Sequence, residues 1–164
     1  MKPQFIKTVA LIESILQSNT EEAYSDAFEQ YQGDIYQTLM IVDWREEDEV
    51  IIEYCENILQ TGSLRAEIQN ADNLQGFTIT VYYQSQTLII PYQGEGADRD
   101  TTLKALNQIL QPDYEIRFCV ASDGSDTLAF LPLPSSLWQQ LDQKYTNSIH
   151  QLFRKFEQDS TFFG

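Results

Sequence analysis

The chain has 164 residues, 25 of them acidic and 10 basic, for a formal charge of −15. Hydrophobic residues make up 42% and aromatics 12%, which excludes a disordered chain and leaves enough apolar surface for a sizeable core. A field of that sign repels nucleic acid and anionic membrane and draws in a cationic partner. Phe5, Val9, Ile12 and Leu16 recur at helical spacing, and Thr8, Glu13 and Ser14 interrupt them, so the N-terminus reads as a first helix and not as a secretion signal. No apolar run approaches the roughly 18 residues of a membrane span, and the expected location is the cytoplasm.

A second helix follows, capped by Asn19 or Thr20, with Ala23, Tyr24, Ala27, Phe28 and Tyr31 inward and Gly33 at its end. Residues 35–44 are mostly apolar and fit a buried helix or a strand equally. A third helix runs from about 46 to 60 and stops at Thr61 and Gly62. Beyond Gly62 the character changes. Residues 77–83 read FTITVYY and residues 87–92 TLIIPY, a hairpin joined at Gln84-Ser85-Gln86, with Pro91 at a strand end or sheet edge. A polar loop leads to a helix from about 99 to 110, closed by Pro112. Residues 114–121, YEIRFCVA, alternate Tyr114, Ile116, Phe118 and Val120 against Glu115, Arg117 and Cys119. The turn Ser122-Asp123-Gly124-Ser125 joins them to a second strand over 126–133. Ser135 and Ser136 open a helix whose inner face is Leu137, Trp138, Leu141 and Tyr145. A last amphipathic helix is expected over 147–156, followed by a loosely held tail from 159.

These elements predict one α+β domain over 1–164. Its helical layer spans about 3–61, and a hairpin–helix–hairpin–helix body spans about 63–157, with four antiparallel strands in one sheet and helices on one face. The two units of the body are offset by roughly 40 residues and echo each other in shape more than in sequence.

No catalytic constellation is visible. The single histidine, His150, has no carboxylate or thiol at helical neighbour positions and reads as a surface or half-buried residue. Gly94 and Gly96 form an isolated Gly-x-Gly among Glu95, Asp98 and Asp100, without the lysine or the strand–helix context of a phosphate loop. Cys55 and Cys119 lie among apolar residues and read as buried thiols, so neither a cofactor nor a metal is expected.

The unusual stretch is WREEDEVIIEYCEN, residues 44–57. Glu46, Glu49, Glu53 and Glu56 fall at i, i+3, i+7 and i+10, on one face of a helix; Glu47 and Asp48 widen the patch, and Asp43 and Trp44 precede it. Like charges at i, i+3 and i+4 cost roughly 0.2–0.5 kcal/mol per pair. Three readings fit: a solvated face, a docking surface, or a metal site. In the last, Glu53 and Glu56, with Glu46 or Glu49, resemble the magnesium-holding carboxylates of all-α nucleotide pyrophosphatases, which need facing carboxylates from another helix. Charge distribution favours docking. Residues 1–57 hold 13 acidic and 3 basic side chains, so one third of the chain carries two thirds of the net charge. Tyr24, Tyr31, Tyr36 and Trp44 supply aromatic anchors in the same region. The expected partner-binding residues are therefore Asp43, Trp44, Glu46, Glu47, Glu49, Glu53 and Glu56.

The stretch PDYEIRFCVASDGSDTLAFLPLPSSLWQQLDQKY, residues 112–145, joins a charged alternating strand, a Ser-Asp-Gly-Ser-Asp turn, a strand ending Leu-Pro-Leu-Pro and a Trp-bearing helix. It resembles the immunity proteins that bacteria encode beside polymorphic or contact-dependent toxins. The resemblance implies a non-enzymatic protein that binds one cognate toxin and covers its basic surface or active-site cleft; it assigns no binding residues. An acidic DNA mimic that inhibits a nuclease or restriction system is the alternative, and an adaptor with an unrelated partner is the plain one.

Overall fold

A computed structural model describes residues 2–18 and 35–163. The second helix expected from Asn19 to Gly33, with Tyr24 and Tyr31, lies outside the described residues. The helices are α1 (Pro3–Ser18), α2 (Asp48–Leu59), α3 (Arg99–Leu110), α4 (Ser135–Lys144) and α5 (Ser148–Leu152). The strands are β1 (Met40–Asp43), β2 (Arg65–Asn70), β3 (Phe77–Tyr83), β4 (Gln86–Ile89), β5 (Tyr114–Cys119), β6 (Thr127–Pro134) and β7 (Phe153–Lys155). This is the expected mixed α+β fold, with antiparallel pairing throughout. No helix among the described residues is long and apolar enough to cross a membrane.

The strands form two sheets where one was expected. One has the order β1-β6-β5-β7 and the other β2-β3-β4, so the two hairpins, β3–β4 and β5–β6, belong to different sheets. The undecided stretch 35–44 resolves into a 3-10 turn, Ile35–Gln37, and the edge strand β1, whose buried Met40 and Val42 face Phe130 and Leu128. β2 gave no periodic signal: its sequence RAEIQN is mostly polar because it lies at a sheet edge, with five of six residues exposed.

Helices cover both faces of the four-stranded sheet, not one. Along β5, Ile116 and Phe118 are buried on one face, and Arg117 and Cys119 on the other. The charged position is accommodated by pairing. Arg117 Nη1 and Nη2 donate to the two carboxylate oxygens of Asp142 on α4 at 2.7 and 2.8 Å, and Nε donates to Glu115. The guanidinium also lies 4.3 Å from the centre of the Trp138 ring. Burial alone would lower the Arg117 pKa, but the bonds to Asp142 and Glu115 outweigh it and raise it. An arginine so held is tolerated in a core because its donors are matched one by one.

The expected last helix is cut short. After α5 the chain turns into β7, which pairs with the edge of β5. Phe153 then packs on Trp138, with ring centres 5.6 Å apart. Phe156 instead lies 5.9 Å from Phe130 and 4.8 Å from Phe162. One amphipathic stripe thus serves two separate contacts, which a continuous helix would not reach together.

The tail is held, against expectation. The Phe162 and Phe163 amides donate to Asp100 Oδ1 at 2.9 and 3.2 Å, and the Phe162 ring lies 5.1 Å from Phe118 and 5.3 Å from Phe130. Cys55 and Cys119 are buried and share no disulfide; burial raises the Cys55 thiol pKa well above its ordinary value.

Replacing Phe162 and Phe163 together by alanine will lower unfolding free energy by about 2–4 kcal/mol, less than two fully buried rings would cost. Urea denaturation of the parent and double variant measures it, and an unchanged midpoint would contradict this account of the tail.

Candidate functional site

The acidic stretch is positioned by α2, and its carboxylates divide among three roles. The helix begins at Asp48, not at Glu46, so the stripe expected along one helix face keeps only Glu49, Glu53 and Glu56. Glu46 precedes the helix and accepts a hydrogen bond from Tyr54 Oη at 2.9 Å. Burial and this bond push the Tyr54 pKa up to about 12. Glu47 stands at the N-cap position, extended and exposed, without a capping bond from its side chain. Asp48 and Glu49 fall in the first turn, where the helix dipole favours anions by about 0.3–1 kcal/mol each.

Asp48 does not widen the surface patch; it is 2% exposed and turned into the protein. Its Oδ2 accepts from Thr102 Oγ1 and from Tyr92 Oη, and its Oδ1 lies 3.3 Å from Arg99 Nε. Arg99 in turn donates to the Trp44 and Ala97 carbonyls at 2.8 Å each. Burial raises the Asp48 pKa above the ordinary carboxylate value, and the Thr102 bond, the Arg99 charge and the Tyr92 bond offset this only in part. Helical spacing places Asp48 with Ile51, Ile52 and Cys55, at i+3, i+4 and i+7, on the buried face; grouping it with the surface carboxylates by charge missed this, because its partners Thr102 and Arg99 come from α3.

Glu56 holds the end of the helix. Its carboxylate accepts from Thr61 Oγ1 and from the Gly62 amide, both at 2.6 Å, while the Gln60 amide bonds back to the Glu56 carbonyl. Gln60 (φ 52°) and Gly62 (φ 77°) take left-handed backbone here, and the chain reverses into β2. Glu56 is thus tied to structure at one carboxylate while its side chain still lines the surface.

That surface is a groove of about 460 Å3 between α2 and β2. Glu49, Glu53, Glu56 and Asn57 form its helix wall, Ile52 and Leu64 its apolar floor, and Arg65, Ala66 and Ile68 its strand wall. Glu49 and Glu53 make no ion pair or hydrogen bond with the described residues. The cation on the opposite wall, Arg65, is already paired with Glu67 and stacked 4.0 Å over the Tyr82 ring.

Asp43 and Trp44 lie elsewhere. Asp43 Oδ1 accepts from the Arg45 amide at 2.8 Å and the Trp44 amide donates to the Asp126 carbonyl at 3.2 Å, which fixes the corner after β1. The Trp44 ring is 51% exposed and borders a shallow hollow of about 350 Å3 with Asp123, Asp126, Phe162 and Phe163. The Arg45 guanidinium already lies 4.9 Å over that ring. Tyr36, expected as an anchor, is also exposed, at 58%. The predicted site therefore separates into an acidic helix–strand groove and an aromatic corner.

Among the described residues no three His, Cys, Asp or Glu side chains are grouped as a metal site requires. His150 is exposed, with Nε2 3.8 Å from Asp142 Oδ1, the carboxylate that neutralises Arg117. Asp142 is not a helical neighbour of His150, since it comes from α4. No protein-family model, curated protein or solved structure matches this chain.

Two outcomes follow from this division of labour. Glu53→Gln will change unfolding free energy by no more than about 0.5 kcal/mol, whereas Glu56→Ala, which strands the Thr61 and Gly62 donors, will cost about 1–3 kcal/mol; chemical denaturation separates them. Asp48 binds its proton more tightly folded than unfolded. Its contribution to stability is therefore full below the unfolded pKa of about 3.9 and is lost as pH rises through the raised folded value. The stability of the parent relative to Asp48→Asn will fall as pH rises from 3.5 and then level off; a difference that grows with pH would contradict the burial of this charge.

Proposed function

We propose that the chain is a non-enzymatic binding protein of the cytoplasm, an immunity protein that neutralises a cognate bacterial toxin by docking its acidic α2–β2 groove onto the toxin's basic surface or active-site cleft. The observation that carries this reading is the pair Glu49 and Glu53, two carboxylates on the wall of a groove with an apolar floor that make no ion pair with the described residues, the groove's own cation Arg65 being paired with Glu67. Helix-dipole stabilisation accounts for Glu49 in part, but Glu53 lies beyond the first turn, where that effect has faded. Keeping both costs a few tenths of a kcal/mol in like-charge repulsion, and a solvated face would be better served by interleaved lysine. A cationic partner removes that cost and gains charge-assisted bonds in a partly dry groove. The strand–turn–strand–helix resemblance over 112–145 supports the immunity reading from a separate part of the chain. The exposed Trp44 ring is a second, smaller contact in this reading, of the aromatic kind that anchors interfaces.

The test is protection. In cells expressing the toxin encoded beside this chain, the parent will protect, and Glu49→Lys/Glu53→Lys will weaken toxin binding on the order of 100-fold and abolish protection while its thermal midpoint stays near that of the parent. Full protection by that folded double variant would remove the groove as the docking surface.

A further inference from the structure

The mode of docking is written in β2. Among the described residues this strand pairs only with β3, at the edge of the three-stranded sheet. The groove is lined by Leu64, Arg65, Ala66 and Ile68. Successive strand residues point to opposite faces, so Leu64, Ala66 and Ile68 share the inner face and Arg65 alone comes from the other: the groove runs under the inner side of the strand and reaches its edge at Arg65. Ile68 is the register partner of Ile79 and therefore shares its inward face. Yet Ile79 is 1% exposed and Ile68 51%. The inner layer of the sheet stops short of the edge strand and leaves an apolar side chain uncovered beside the acidic helix.

Edge strands are commonly blunted by charges, proline or a bulge. β2 carries Arg65 and Glu67, but both are partners of outer-face residues, Tyr82 and Thr80. Arg65 stacks on the Tyr82 ring and Glu67 accepts from Tyr82 Oη at 3.2 Å. Both charges are thus drawn onto the outer face, and among the described residues no other charge or proline of β2 blocks its unpaired edge.

We propose that the groove takes its partner as an extended segment, added as a further strand to the free edge of β2, with basic side chains at alternate positions directed at Glu49 and Glu53. The proposal rests on the reading of the groove as the docking surface for a cationic partner and specifies how that partner binds. The dimensions agree. Residues 49–57 rise about 12 Å along the helix and residues 64–68 about 14 Å along the strand, so the two walls run to matching lengths. Glu49 and Glu53 are separated by about 6 Å of helix rise, and alternate side chains of an added strand by about 6.8 Å. Two lysines or arginines at i and i+2 therefore have nearly the spacing of the two carboxylates. A second copy of this chain fits the edge less well, since pairing β2 with β2 brings two sets of Glu49 and Glu53 together in a chain of charge −15.

The test uses the full chain and a fluorescent octapeptide alternating lysine with threonine. Anisotropy will show binding that weakens at least tenfold in Glu49→Gln/Glu53→Gln. Two analogues, N-methylated either on every lysine or on every threonine, keep all charges but each removes one row of backbone donors. Strand addition predicts that one analogue binds like the parent peptide and the other at least tenfold more weakly. Equal binding of all three peptides would overturn strand addition and leave an acidic docking groove in place. Absence of peptide binding at millimolar concentration, or self-association of the chain that the peptide does not compete, would likewise overturn it. Cellular protection depends on none of these readings, so loss of the immunity reading is detected separately.

Discussion

At the start of α2 a carboxylate is taken out of water. Asp48 sits against Thr102 and Arg99 from α3 and Tyr92 from the loop before it, and this contact fixes how the helix lies on the rest of the protein. A buried charge is costly unless its partners are in place, so the cluster also holds the corner at Trp44 through the bonds of Arg99 to the Trp44 and Ala97 carbonyls. With the first turn pinned, 3.6 residues per turn set the rest. Ile51, Ile52, Cys55, Ile58 and Leu59 face the core, and Glu49 and Glu53 face the groove. At the far end Glu56 closes the reversal that brings β2 alongside. One acidic helix thus uses Asp48 to lock its start and Glu56 to lock its end, and leaves Glu49 and Glu53 between them on the groove wall.

The two sheets and the two long-range staples serve the same arrangement. Arg117, clamped by Asp142 and Glu115 under Trp138, lets β5 be covered on both faces. The rings of Phe156 and Phe162 close over Phe118 and Phe130 from the C-terminus. The three-stranded sheet is less enclosed, with Ile68 and Ile89 more than half exposed. The acidic helix lies beside that less enclosed sheet, with Glu49 and Glu53 across a groove from β2.

Much of this was legible in the sequence where periodicity was long and uninterrupted. FTITVYY, the helix over Arg99–Leu110 and the hairpin around Ser122-Asp123-Gly124-Ser125 appear as read. What escaped was decided by contacts between distant residues. β2 is polar because it is an edge, so it carries no alternation to detect. Residues 153–156 carry a helical stripe, but pairing with β5 prevails over it at Phe153. The acidic stretch announced itself by spacing, and Glu49 and Glu53 lie where that spacing put them. Asp48 and Glu56 carry the same charge in the same stretch, and Thr102 and Arg99 beside the one and Thr61 and Gly62 beside the other separate these structural carboxylates from Glu49 and Glu53.

The central claim is that a cationic partner occupies the groove between α2 and β2. Hydrogen–deuterium exchange of the chain, alone and saturated with the proposed cationic partner, locates the contact without altering either protein. The account predicts new protection of the amides of β2 together with reduced exchange along α2, larger than any change at the Trp44 corner. Protection confined to the Trp44 corner and the turn after Ser122, with β2 unchanged, would contradict it.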